Sequence, residues 1–151
     1  MDRKAYSVLI VDDSAPDRLV LRRTLQRFPR FKVVGEVRDG MEAIQYLEGK
    51  GAFANSSRNP APDLMLLDLK MPRMSGFDVL QWLKEHSFPS LTVIVLSSSP
   101  LAEDIGASLA FGAHGYWTKA APGERQLEII REIEDRLDSV RKSDFHRARY
   151  R

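Results

Sequence analysis

The sequence predicts an α/β protein, a doubly wound parallel sheet with helices on both faces. Two observations carry that expectation. Five short apolar runs alternate with five amphipathic segments over about 140 residues, which is the spacing of βα units rather than of hairpins. The third run, Leu64-Met-Leu-Leu67, is apolar at every position, as a strand buried on both faces requires.

The first strand is read as Tyr6 to Val11. Asp12-Asp13 follow, and Ser14-Ala-Pro-Asp17 is a capping pattern with proline in the first helical turn. The helix is expected to reach about Phe28, with Leu21, Leu25 and Phe28 inward and Arg22, Arg23 and Arg27 in solvent. Phe31 to Val37 is the second strand. Asp39-Gly-Met-Glu42 opens a helix carrying Ala43, Ile44 and Leu47 inward, and Gly49 and Gly51 end it. Residues 52–62 have no period and form a connection longer than is usual in α/β proteins, either functional or a simple insertion. The third strand ends on Asp68, and Met71-Pro72 stops it because proline has no donor for the ladder. Ser75 caps a helix with Phe77, Leu80 and Leu83 at spacings of three. Leu91 to Leu96 is the fourth strand, and Ser97-Ser98-Ser99-Pro100 leads into a helix with Ala102, Ile105 and Leu109, closed at Gly112. Tyr116 to Thr118 is a short fifth strand ending at Lys119. Pro122 opens a last helix lined by Ile130, Ile133, Leu137 and Val140, beyond which an apolar-poor tail should fray.

Length and composition fit one domain, residues 1–140, with a basic tail at 141–151 and no room for an output domain. The hydrophobic fraction of 43% and charged fraction of 29% are those of a globular protein. No apolar run is long enough to cross a bilayer, and Val8 to Val11 is too short for the core of a signal peptide. The chain has no cysteine, which excludes disulfides and thiolate chemistry and makes a cytoplasmic location the expectation. The formal charge of +2 is uneven: Arg141, Lys142, Arg147, Arg149 and Arg151 against Asp144 give the tail +4 and leave the rest −2. That argues against a nucleic-acid groove across the domain.

Chemistry collects at the strand ends: Asp12 and Asp13 after the first, Asp68 after the third, Ser97 after the fourth, Lys119 after the fifth. Each has an ordinary structural use, as helix-start acids, a turn hydroxyl or a solvated charge. Their joint occurrence is what stands out. In a sheet of order 2-1-3-4-5 the first and third strands flank the switch point, so their carboxylates meet in one crevice. Crowded carboxylates repel unless a cation is present, and an oxygen-only donor set suits Mg²⁺ better than zinc. An ammonium and a hydroxyl beyond Asp68 suit an anion. Together these describe an aspartate that accepts a phosphoryl group.

These residues, and above all the Asp-x-x-Met-Pro-x-x-x-Gly string from Asp68 to Gly76, resemble the response-regulator receiver domain of two-component signalling over residues 6 to about 140. The resemblance implies the flavodoxin-like, CheY-like sheet, order 2-1-3-4-5. It implies Asp68 as phospho-acceptor, and Mg²⁺ at Asp13, Asp12 and Asp68 with the main-chain carbonyl of Lys70. It makes Ser97 the switch hydroxyl, Lys119 the phosphate-binding lysine and Tyr116 the aromatic that turns inward on phosphorylation. The implied partners are a sensor histidine kinase or a phosphotransfer protein and an unnamed downstream target, with a homodimer also admitted. The chain would be a phosphoacceptor, not a turnover enzyme. The long loop after the second helix resembles stand-alone receivers that accompany bacterial phytochrome-type histidine kinases. Two positions depart from the family pattern. Lys119 is followed by Ala120-Ala121-Pro122 rather than directly by proline, which leaves the reach of Lys119 unfixed by the resemblance, and Ser98 stands where alanine or glycine is usual.

Three other readings of the same fold compete. A flavin or nucleotide binder wants a phosphate-cradling loop after the first strand, where Asp-Asp-Ser-Ala has the wrong charge. A phosphatase with an aspartate nucleophile ordinarily needs a second acid. A scaffold with a vestigial site would have no reason to keep every acidic, hydroxyl and lysine position.

Overall fold

The computed structural model describes residues 4–149, with side chains through Arg141. The chain runs β1 (Tyr6–Val11), α1 (Ala15–Leu25), β2 (Phe31–Val37), α2 (Gly40–Glu48), a 3₁₀ turn (Gly51–Phe53), β3 (Leu64–Leu67), α3 (Gly76–Glu85), β4 (Thr92–Ser97), α4 (Ala102–Ala110), β5 (Gly115–Thr118) and α5 (Glu124–Arg149). The strands form one sheet of order β2-β1-β3-β4-β5, and every neighbouring pair is parallel.

The apolar strand β3 explains the layering. Alternate side chains of a strand leave opposite faces, so Leu64 and Leu66 enter the core shared with α1 and α5, beside Leu21, Ile130 and Ile133. Met65 and Leu67 enter the core shared with α2 and α3, beside Ala43, Val79 and Leu80. At the amino edge of the sheet, opposite the crevice, Tyr6 donates to Asp138 at 2.7 Å and lies between two guanidinium groups, Arg30 at 4.9 Å and Arg141 at 4.8 Å from the ring centre. Arg30 also pairs with Asp138, and Arg141 with Asp63 at 3.1 Å.

Helix faces and ends differ from the sequence expectation in places with physical causes. α1 stops at Leu25 instead of Phe28. In α2 Tyr46 is buried, where Ile44 and Leu47 were expected to carry the inner face, because its hydroxyl reaches Pro60 O at 2.9 Å and its ring meets Phe53 at 5.2 Å. The 52–62 connection is therefore anchored on α2. In α4 the buried residue is Ser108 and Leu109 is 47% exposed. Asp104 rotates that helix by accepting from Ser99 Oγ while its carbonyl accepts from Ser108 Oγ. The last helix begins at Glu124 rather than Pro122 and continues to Arg149, past the point where fraying is expected. Arg141 holds it to the sheet through Asp63 and Tyr6. Most of the tail's charge lies on side chains outside the described residues.

Candidate functional site

The carboxyl ends of β1, β3, β4 and β5 deliver the predicted residues to one crevice. Asp12 leaves β1 and Asp68 leaves β3, with Asp68 N–H still bonded to Val11 O at 2.9 Å. Both side chains are buried, and Asp13 is exposed at the rim. Asp12, Asp13 and Asp68 each present a carboxylate oxygen within 4.8 Å of the others. The turn after Asp68 is fixed by Gly76, where a Cβ would stand 2.2 Å from the Asp68 carbonyl oxygen and 2.9 Å from Leu69 Cα. Only glycine lets α3 start so close to the strand end. Arg73, at φ 65°, turns this loop and pairs with the buried Asp39, which caps α2.

Lys119 answers these carboxylates. Its ammonium lies 2.7 Å from Asp12 Oδ2, 2.9 Å from Asp17 Oδ2 and 3.4 Å from Asp68 Oδ2. Burial disfavours its charge, but the hydrogen bonds it donates to Asp12 and Asp17 and the charge of Asp68 outweigh that and hold it above the ordinary lysine range. Burial likewise pushes Asp68 up to about 6, and the attraction of Lys119 only partly opposes it, while the charge of Asp12 adds to the rise. Asp68 Oδ1 also accepts from Leu69 N–H at 2.8 Å. The departure after Lys119 does not displace it, since its N–H donates to Ser97 O at 2.8 Å and Ser97 pairs with Thr118 across the ladder.

Ser97 is buried, and its hydroxyl accepts from Ser99 N–H at 3.2 Å. Ser98 is exposed beside it. Tyr116 is half-buried against the α2 and α3 core, and its hydroxyl donates to Ser99 O at 2.6 Å, so it is turned toward the β4–α4 loop. Lys70 lies exposed immediately beyond Leu69. Two residues escaped the sequence reading. The sequence marks Asp17 only as a helix-start acid, because its partner lies 102 positions away. Arg73 has no local sequence signal, because its partner Asp39 sits on another loop.

Oxygen donors alone, crowded and partly desolvated, with one ammonium against several carboxylates, fit a hard divalent cation. A cation there, with Lys119 beside Asp68, provides for an incoming anion at the Asp68 carboxylate.

Compared with known proteins, the chain matches the family described as response regulator receiver domain over residues 8–131. It is 30% identical over 128 residues to response regulator Rcp1 of Synechocystis sp., covering 84% of this chain and 85% of that one. The crystal structure of the Mn²⁺-bound form of response regulator Rcp1 aligns with a TM-score of 0.71 at 29% identity, over 85% of this chain and 91% of that one. The phosphorylated cyanobacterial phytochrome response regulator RcpA aligns with a TM-score of 0.75 at 34% identity, over 90% of this chain and 96% of that one. The chain is also 34% identical over 134 residues to protein-glutamate methylesterase/protein-glutamine glutaminase 3 of Geobacter sulfurreducens, covering 89% of this chain but 33% of that one. It thus spans about a third of that relative and most of the length of Rcp1.

Proposed function

We propose that this chain, which belongs to the response regulator receiver domain family, accepts a phosphoryl group on Asp68 from a phosphohistidine and passes the event on as a change of surface. The supporting observation is the convergence of Asp12, Asp13 and Asp68 within 4.8 Å at the carboxyl edge, with Lys119 beside them. In the proposed step an Asp68 carboxylate oxygen attacks phosphorus. The bond from phosphorus to the donor's imidazole nitrogen breaks, and the electron pair leaves with that nitrogen, which takes up a proton. The product is an acyl phosphate. Asp12, Asp13 and Asp68, with the Lys70 carbonyl, would hold Mg²⁺, which would supply charge neutralisation to the transferring oxygens. Lys119 carries the remaining positive charge, and Ser97 offers a hydroxyl to a phosphoryl oxygen. Tyr116 and the β4–α4 loop, joined through Ser99 O, carry the change to the face formed by α4, β5 and α5.

The donor in this reading is a sensor histidine kinase of phytochrome type, as the likeness to the phytochrome response regulator RcpA supports, and the chain is a regulator without turnover. Among the described residues no helix is long and apolar enough to cross a membrane. A small phosphodonor with Mg²⁺ is expected to add one phosphoryl mass, lost in base and absent with chelator or in Asp68→Asn. Phosphotransfer from a panel of histidine kinases then identifies the donor. If Asp68→Asn gains mass as fast as the parent, the acceptor assignment is wrong.

A further inference from the structure

The sequence contains the pattern Ser-x-x-Asp twice at a helix start, Ser14 to Asp17 and Ser75 to Asp78, and the structure uses the two differently. At α3 the reciprocal capping box closes: Asp78 N–H donates to Ser75 Oγ, and Ser75 N–H donates to Asp78 Oδ2 at 3.0 Å. At α1 only half of it forms. Asp17 N–H donates to Ser14 Oγ at 3.2 Å, but Ser14 N–H is given to Asp12 Oδ1 at 2.9 Å. The Asp17 carboxylate, released from its capping task, crosses to Lys119 at 2.9 Å. An ammonium has three protons, and three carboxylates, Asp12, Asp17 and Asp68, lie around that of Lys119, with Asp68 the most distant at 3.4 Å.

We propose that Asp17 is a positioning residue that tethers Lys119 from the α1 side of the crevice and competes with the acceptor for it, so that phosphoryl binding must win the lysine from it. This rests on the function proposed above. A cation at the carboxylate cluster draws on Asp12 and Asp68, but Asp17 stands outside that cluster and keeps its hold. The lysine must then exchange one carboxylate for a phosphoryl oxygen, and Asp17 sets how costly that exchange is. Removing it leaves Lys119 free to close on the acceptor. Asp17 is half exposed and Lys119 largely covered, so the tether is worth the upper part of the range for exposed pairs, about three- to fivefold in affinity.

The test measures beryllofluoride affinity, as a tetrahedral phosphoryl mimic with Mg²⁺, by titration calorimetry on the full chain. The variants are Asp17→Asn, Asp17→Glu, Lys119→Ala, the double variant Asp17→Asn with Lys119→Ala, and Asp78→Asn. Asp17→Asn is expected to bind about three- to fivefold more tightly than the parent, Asp17→Glu to stay near the parent, and the gain to vanish in the Lys119→Ala background, the mark of coupling through the lysine. Asp78→Asn is expected to lower thermal stability with affinity unchanged. If Asp17→Asn behaves like Asp78→Asn, its carboxylate serves the helix alone and the tether is wrong. An equal gain with and without Lys119 overturns it too, because that is charge repulsion only. A parent that neither binds beryllofluoride nor gains phosphoryl mass defeats the proposed function itself, which is a different result.

Discussion

Replacing Asp68 with asparagine is expected to stabilise the metal-free protein at neutral pH. Burial and Asp12 raise the Asp68 carboxyl from 3.8 to about 6, so the folded protein holds a proton that the unfolded chain releases. Stability is therefore present at low pH, falls as pH rises between about 4 and 6, and stays reduced above that range. A shift of roughly two pKa units at about 1.4 kcal/mol each sets a ceiling near 3 kcal/mol. Asparagine keeps an acceptor for Leu69 N–H and removes the charge, so a gain of about 2 kcal/mol at pH 7 follows. For 151 residues that is about 6 °C in Tm. The assay is thermal unfolding of parent and Asp68→Asn in chelator at pH 4, 5.5 and 7. The difference should shrink several-fold by pH 4, and Mg²⁺ at pH 7 should raise the parent more than the variant. An asparagine variant no more stable than the parent at pH 7 would refute the account of a desolvated, charge-crowded carboxylate.

Gly76→Ala is expected to cost about 2–4 kcal/mol in urea unfolding, since its methyl meets two backbone groups of Asp68 and Leu69, and to slow phosphoryl gain by shifting the acceptor. Tyr116→Phe should cost about 1 kcal/mol, because Ser99 O loses its donor, and should weaken the phosphate-dependent change more than the phosphoryl gain. Lys119→Ala is expected to fold and still accept phosphate while losing the phosphate-dependent change in Trp117 fluorescence or partner binding. An unaltered change would show that the lysine does not couple the two.

Much of this was legible in the chain because the signals are local or periodic. β1, β2 and β3 stand where their apolar runs place them, and the caps at Ser14, Asp39 and Ser75 fall at the residues their side chains predict. The crevice was legible for the same reason, as Ser97 ends its strand and the others sit one or two positions past a strand end. What escaped is mostly non-local. Tyr46 is buried by a loop fourteen residues on, and the third carboxylate on Lys119 comes from α1; the inward face of α4 is set at shorter range, by Asp104 bonding back to Ser99, a side-chain bond that apolar periodicity does not register. The persistence of α5 past Val140 depends on Tyr6 at the start of β1 and Asp63 just before β3, both far away in the chain. The short apolar count there carries no trace of them.

Those contacts at the amino edge divide the labour of the sheet. Tyr6 gripped by Arg30 and Arg141, with Asp138 and Asp63 as anchors, ties the starts of β1 and β2 and the approach to β3 to the far turns of α5. The charge-crowded crevice lies a strand's length away, roughly 20 Å. Loops on the crevice side can therefore exchange partners, tighten or change sequence without loosening the clamp, much as a tuning fork is held at the stem so that its prongs can move. Variation in what the protein answers to is expected to accumulate at the prongs, and variation in how firmly it stands at the stem.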